Sequence, residues 1–89
     1  MNLVRTDLFK KDFLNLPTSI RRQTEKALRL LVADLFHPSL HIKKTKGEVL
    51  KGYQNVFEGR ISKSYRFLFL IEGDTYVLLR CGKHDEFFK

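Results

Sequence analysis

The segment YRFLFLI, residues 65–71, constrains the fold more than any other part of the chain. After Arg66 it is apolar on both faces, which favours a strand in the middle of a sheet rather than at its edge. The turn sequence EGD, residues 72–74, predicts a tight hairpin. Residues 75–81 then form the next predicted strand. The chain is therefore expected to be built around an antiparallel hairpin whose first strand is central.

Two helices and further strands are predicted around this hairpin. A short first strand is expected at residues 3–5, and Asp7 is expected to cap a first helix with apolar residues at helical spacing. Pro17 separates that helix from a second one over residues 18–36, which carries an apolar stripe. A loop and a strand at residues 56–61 lead to the hairpin. A strand, two helices and an antiparallel meander make an α+β class, and the length predicts one domain over residues 1–89.

The two faces of the central strand differ in how they are expected to be covered. Phe67 and Phe69 point to one face, and Leu68 and Leu70 point to the other. Two helices cover one face, and too few residues remain for the second. We therefore expect an uncovered apolar sheet surface to which a partner helix or extended segment binds.

The overall composition limits the class of partner. The net charge of +7 favours an anionic partner such as nucleic acid, the ribosome or an acidic protein, with simple solubility as the alternative. A single cysteine allows no intramolecular disulfide and suits a reducing cytoplasm. No apolar run approaches the roughly 20 residues that span a bilayer, and the first residues do not resemble a signal peptide. A cytoplasmic protein with no membrane partner is expected.

The expected sheet gathers basic residues that are distant in sequence. They are His37, His41, Lys43, Lys44, Lys46 and Lys51 in the loop, then Arg60, Lys63, Arg66, Arg80, Lys83 and His84 in and after the strands. Antiparallel pairing brings Arg66 near the end of the last strand, where Arg80 and His84 lie. Clustered cations bind polyphosphates by releasing counterions, whereas the loop lysines alone are equally typical of a solvated loop.

Two residues carry the chemistry that the sequence suggests. Arg66 is expected to be partly buried and therefore to need an anion, either a salt bridge with a glutamate (Glu58 or Glu48) or a phosphate. His84 is suited to proton transfer near neutral pH. Cys81 and His84 form only one pair of possible metal ligands, and the sequence has no glycine-rich phosphate loop. A reaction without metal or small-molecule cofactor is therefore expected.

Four segments in this order resemble the RelE/ParE superfamily of bacterial toxins. They are HPSLHIKKTKG, GRISKSYRFLF, EGDTYVLL and CGKHDEFF. The resemblance implies the toxin half of a type II toxin–antitoxin pair, with a cognate antitoxin as partner. RelE-type members act on mRNA bound to the 70S ribosome and inhibit translation. They cleave without a metal, by attack of the 2′-hydroxyl on the adjacent phosphate, which leaves a 2′,3′-cyclic phosphate and a 5′-hydroxyl.

This reaction needs a base, cations for the phosphorane and an acid for the leaving oxygen. By resemblance, Arg66 stabilises the transition-state phosphate, Arg60 makes an auxiliary phosphate contact and His84 is the general acid. The residues expected to bind RNA are Lys43, Lys44, Lys46, Lys63, Lys83 and Phe88. Phe88 would stack on a base, with Phe87 as an equal contender, and packing onto the helices is the alternative for both.

The sequence departs from the RelE pattern at the base. Prototype members carry two lysines in the first meander strand, and the aligned positions here hold Phe57 and Gly59. The candidates for the base are Glu58, Glu48, His41, Lys43, Lys44 and Lys46.

Two other functions also remain open. One is a ParE-type poison of DNA gyrase, which needs neither His84 nor Arg66, and the other is a non-catalytic binding module of the same fold.

Overall fold

A computed structural model describes residues 1–88 and contains one mixed sheet with helices. The elements are β1 (Asn2–Arg5), α1 (Asp7–Leu14), α2 (Thr18–Ala33), a 3₁₀ turn (Pro38–Leu40), β2 (Lys43–Lys44), β3 (Phe57–Arg60), β4 (Tyr65–Glu72), β5 (Thr75–Lys83) and α3 (His84–Phe87). The predicted α+β class is confirmed. Within residues 1–88, no helix combines the length and apolar character needed to cross a membrane.

The sheet has the strand order β1-β5-β4-β3-β2. β4 is its third strand, as the apolar run predicted, and it pairs antiparallel with β3 and β5. β1 instead pairs in parallel with β5, which the sequence did not indicate. Helices α1 and α2 connect β1 at one edge of the sheet to β2 at the other, and strands β2 to β4 then lead back to β5 beside β1.

The helix boundaries differ from the predicted ones at two points. The cap of α1 is Thr6 rather than Asp7, because the Thr6 hydroxyl accepts a hydrogen bond from Phe9 N at 3.2 Å and donates one to Leu78 O at 2.8 Å. Helix α2 ends at Ala33, three residues before the predicted end. Asp34 takes an extended backbone, and Phe36 is left 85% exposed, so no packing holds a further turn.

The main core lies between the helices and one face of the sheet. Phe67, Phe69 and Tyr76 from the strands pack against apolar residues of α1 and α2 such as Phe9 and Leu31. The ring centroids of Phe67 and Phe69 are 5.5 Å apart, and Tyr76 meets Phe69 edge-on. This is the face that the two helices were expected to cover.

The second face of the sheet is also largely covered, so the prediction of an uncovered apolar face was wrong. Leu68 has no exposed surface, and it packs in a smaller core with Val56 and Leu79. The cover comes from the predicted loop before β3 and from the two aromatic residues that were predicted to contact an RNA base or the helices. It consists of the partly buried Val49 and Leu50 on one side and Phe87 and Phe88 on the other.

Gly59 in β3 lets the ring of Phe67 lie directly against the backbone. A Cβ at this position would overlap that ring and come within 2.9 Å of Ile42 Cδ1. Since Phe67 is fully buried, its ring has no free space to move into. We expect Gly59→Ala to lower the free energy of unfolding by about 1–3 kcal/mol, measured by urea denaturation.

Gly82→Ala is the matched control for this change. A Cβ at Gly82 would meet only the carboxylate end of the exposed Glu86, at 3.2 Å. A much smaller loss of stability is expected there. An equal loss in both variants would mean that the cost is a general one of removing a strand glycine.

Candidate active site

A concave site of about 400 Å³ lies on the second face of the sheet, at its β2 edge. It is lined by His41, Ile42, Lys43, Glu58, Arg60 and Arg66, and it is called the arginine cavity below. Side chains alternate along a strand, so Glu58 and Arg60 point to the same face of β3. Strand pairing sets Lys43 opposite Glu58 and Arg66 opposite Arg60. The pairing of neighbouring strands therefore brings most residues of this site together.

Arg60 and Arg66 are direct cross-strand neighbours. Like charges in such a pair repel each other, and neither guanidinium has a carboxylate within ion-pair distance among residues 1–88. Burial, and then the neighbouring Arg60, lower the pKa of Arg66, while Glu58 acts in the opposite direction. The Nε of Arg60 is buried and has no hydrogen-bond partner in the described part of the chain. Both features favour an anion between or beside the two guanidinium groups.

The turn between β3 and β4 holds Arg66 in place. Nη1 of Arg66 donates to the carbonyls of Ser62, Tyr65 and Lys63 at 2.6, 2.9 and 3.2 Å. The remaining carbonyl of this turn, Ser64 O, accepts a hydrogen bond from His84 N at 2.7 Å. Arg66 and the start of α3 are therefore fixed to the same four-residue turn.

Glu58 is a buried carboxylate in the arginine cavity. The residue is 5% exposed, and its ion-pair partner is Lys43, whose Nζ lies 3.6 Å from Glu58 Oε1. The lysine side chain is 70% exposed, so this pair is weak and solvated at one end. A buried carboxylate held this loosely is able to accept a proton from a substrate hydroxyl.

His41 is the histidine that lines the arginine cavity. Its backbone is left-handed, with φ 46° and ψ 46°, at the end of the 3₁₀ turn. The imidazole Nε2 lies 3.4 Å from Nη1 of Arg60. Such a backbone is uncommon for a residue with a side chain and is often found where a side chain must be aimed at a site.

Comparisons with known proteins identify the fold. No protein-family model and no curated protein matches the sequence. Solved structures do match it over nearly its whole length. YafQ from E. coli strain BL21(DE3) has a TM-score of 0.78 at 9% identity, covering 99% of this chain and 98% of that chain.

Two further structures agree. The YoeB/ParE toxin from Agrobacterium tumefaciens has a TM-score of 0.74 at 18% identity, covering 94% of this chain and 99% of that one. The RelB–RelE antitoxin–toxin complex from Methanococcus jannaschii has a TM-score of 0.70 at 24% identity, covering 93% of this chain and 92% of that one. The chain has the RelE/ParE toxin fold.

Within this RelE/ParE fold, the predicted site residues fall into two groups. Arg60, Arg66 and Lys43 line the arginine cavity. The other lysines do not line it: Lys44, Lys46, Lys63 and Lys83 are exposed on the strands and loops. Lys83 lines a separate depression with Asp12 and Glu86. RNA contacts by these lysines remain predictions.

His84 and Phe88 lie together on α3 and its end, outside the residues that line the arginine cavity. The imidazole of His84 is 4.8 Å from the ring of Phe88, and its Nδ1 is 3.4 Å from Asp85 Oδ1. Phe87 and Phe88 both pack on the smaller core. Both rings pack on the second sheet face rather than on the helices, contrary to the alternative given above, and stacking of Phe88 on a base remains a prediction.

Arg80 does not join Arg66, contrary to the expected clustering. Its guanidinium makes a bidentate ion pair with Asp12, at 2.6 and 3.0 Å, and lies 5.6 Å from the ring centre of Phe87. The hydrogen bond to Asp12 raises the pKa of Arg80. Asp12 lies on α1, so the order of the strands alone could not predict this ion pair.

Phe57 and Gly59 are the positions aligned above with the two lysines of prototype RelE members, and the structure shows on which side of the sheet they lie. Phe57 packs against the main core, and Gly59 faces Phe67, so both lie on the helix side of the sheet. Strand alternation therefore puts Glu58 and Arg60, not these positions, in the arginine cavity. The burial of Glu58 was the signal that the sequence lacked, because it depends on the three-dimensional packing around β3.

Cys81 is not placed to share a metal with His84. The thiol faces the main core at 4.0 Å from Phe9 O, and burial raises the pKa of Cys81 to about 12. Within residues 1–88, no three His, Cys, Asp or Glu side chains are grouped as a metal site requires.

Proposed function

We propose that the protein is the toxin of a type II toxin–antitoxin pair and cleaves mRNA on the ribosome. One observation carries this proposal: the arginine cavity combines two adjacent guanidinium groups with a buried carboxylate on one face of a RelE/ParE sheet. Paired arginines suit a phosphate, and a carboxylate beside them suits the removal of a proton from a neighbouring hydroxyl.

The proposed reaction proceeds through side chains of this chain. Glu58 accepts the proton of the ribose 2′-hydroxyl, and the freed oxygen attacks the adjacent phosphorus. Arg66 and Arg60 stabilise the charge of the phosphorane. The bond from phosphorus to the 5′-oxygen then breaks, and an acid gives that oxygen its proton. The products are a 2′,3′-cyclic phosphate and a 5′-hydroxyl.

We assign the acid to His84 and treat His41 as its rival. His84 follows the resemblance to RelE-type toxins, and its backbone is tied to the turn that also holds Arg66. His41 has the support of lining the arginine cavity itself. Phe88 next to His84 is the proposed aromatic neighbour of an RNA base, with Lys43 and the surrounding exposed lysines as phosphate contacts.

Primer extension on a reporter mRNA in a bacterial translation mixture tests the proposal. The protein is compared with its His84→Ala and His41→Ala variants. Cuts within codons that require active ribosomes and disappear only in His84→Ala support the proposal as stated. Loss only in His41→Ala moves the acid to His41. Undisturbed mRNA and translation with the unaltered protein would contradict the nuclease and direct the search to gyrase.

The proposed antitoxin site is a groove of about 600 Å³ between β1, α1 and α2, called the helix groove below. Its floor is apolar, and the exposed Leu14 and Val32 lie along it. Three of its four charged lining residues are basic: Arg5, Lys10 and Arg29, against Glu25. This pattern fits an amphipathic helix with acidic flanks. The Methanococcus jannaschii RelE of the same fold is solved with the antitoxin RelB, which supports such a partner.

Leu14→Glu is expected to weaken antitoxin binding by roughly 10–100-fold, measured by titration calorimetry with the cognate antitoxin. Leu14 is 69% exposed in the free protein, so the substitution should hardly change the stability of the fold. It removes only the burial of Leu14 by the partner. Leu8→Glu is the matched control, because Leu8 lies on the same helix but outside the helix groove. Equal affinities in the two variants would place the antitoxin elsewhere.

A further inference from the structure

A second cavity adjoins the arginine cavity and shares Arg60 with it. Its volume is about 310 Å³, and it lies between α2, the 3₁₀ turn and the end of β3. It is called the α2 cavity below. The two cavities share the side chain of Arg60, and Leu40 of the α2 cavity is next in sequence to His41 of the arginine cavity.

The charged residues that line the α2 cavity are positive. They are Lys26 and Arg60, and no aspartate or glutamate of residues 1–88 is among the lining residues. Nδ1 of His37 accepts a hydrogen bond from Ser39 N at 3.2 Å, so the neutral imidazole carries its proton on Nε2 and donates from there. The cavity is therefore built to accept an anion.

Apart from the polar Gln23, the remaining lining residues are apolar. They are Ala27, Leu30, Leu40 and Ile61. A cavity with cationic donors at its rim and an apolar floor matches a nucleotide, which presents a phosphate together with a flat base. An inorganic anion alone would make no favourable contact with that apolar floor.

We propose that the α2 cavity binds the nucleotide adjacent to the scissile phosphate in single-stranded RNA. This inference rests on the proposed function, because the scissile phosphate itself lies in the arginine cavity. Lys26 and Arg60 hold the neighbouring phosphate, and the base lies on the apolar floor. Arg60 then contacts both phosphates, which explains why it lines both cavities. The RNA strand runs from the β2 edge of the sheet toward helix α2.

Cleavage on ribosomes programmed with one mRNA tests the subsite. Single-turnover rates are measured against protein concentration for the unaltered protein, Lys26→Ala, Lys26→Arg and Arg22→Ala. Loss of a charged hydrogen bond to phosphate is expected to raise the half-saturating concentration of Lys26→Ala roughly tenfold without changing the maximal rate. Lys26→Arg keeps the original value.

Arg22→Ala is the matched control, since it removes one exposed positive charge from the same helix but outside the α2 cavity. Equal behaviour of Lys26→Ala and Arg22→Ala would overturn the subsite while leaving the proposed nuclease intact. Absence of cleavage by the unaltered protein would overturn both. The two failures are therefore distinguishable in one experiment.

A photo-crosslinker at Gln23, an exposed residue of the α2 cavity, shows whether this cavity binds mRNA or ribosomal RNA. The mRNA carries 2′-O-methyl groups so that it stays uncut. A crosslink to the nucleotide next to the cleavage position is expected. Crosslinks to ribosomal RNA alone, or the same mRNA crosslink from position 22, would overturn the assignment.

Discussion

Glu58→Gln is expected to slow ribosome-dependent mRNA cleavage by about 10²–10⁴-fold, the usual contribution of a general base. The amide keeps the size of the carboxylate but does not take up a proton. Because Glu58 is paired with the largely exposed Lys43, the change leaves no buried charge without a partner. The measurement is the single-turnover cleavage rate by primer extension, together with the thermal unfolding midpoint.

Lys43→Gln is the control for this prediction. It removes the same ion pair and leaves the carboxylate of Glu58 in place, so a base at Glu58 predicts a much smaller loss of rate. Similar losses in both variants would assign the effect to the ion pair. Full activity in Glu58→Gln would return the base to His41 or to one of the loop lysines.

The fold was largely readable from the sequence because its strongest signals are local. The apolar run of β4, the glycine turn after it and the proline before α2 each fix one element without reference to the rest of the chain. The parallel pairing of β1 with β5 has no such signal, since it joins the first strand of the chain to the last and depends on the path of everything between them. Strand β2 is two residues long, and α3 is a single turn, so neither has a periodicity to detect.

The error about the second sheet face has the same physical origin. The loop before β3 contains Val49 and Leu50, which are too far apart from other apolar residues to suggest an element. They nevertheless fold over Leu68 and Leu79, because the long loop can return to the sheet. Glu58 is also buried on this face, and its burial could not be predicted from the sequence either.

The arginine pair, in contrast, could be predicted from strand register alone. Arg60 and Arg66 flank a short turn between two antiparallel strands, and such pairing makes them neighbours whatever the rest of the fold. His84 follows from the same argument less directly, through Gly82 opposite Arg66. The direction of its side chain depends on α3 and on Phe88, and no pattern in the sequence specifies those contacts.

Arg66→Ala is expected to reduce the cleavage rate by about 10²–10³-fold, as the loss of an oxyanion donor does in other enzymes. Within residues 1–88, one nitrogen of the guanidinium, Nη1, is used by the turn, and no side-chain partner is found for Nε and Nη2. These two nitrogens present the parallel donors that a phosphate accepts. The measurement is again the single-turnover rate on programmed ribosomes.

Stability must be separated from chemistry in this case, because Arg66 also donates to three carbonyls of the turn. Arg66→Lys retains the charge but loses the planar fork, and we expect it to recover only part of the rate. Inorganic phosphate supplies a test without turnover. Since burial and Arg60 lower the pKa of Arg66, a bound anion relieves a cost of folding and should raise the unfolding midpoint of the unaltered protein. The same rise in Arg66→Ala would show that phosphate binds away from the arginine cavity, and the assignment of Arg66 to the transition state would fail with it.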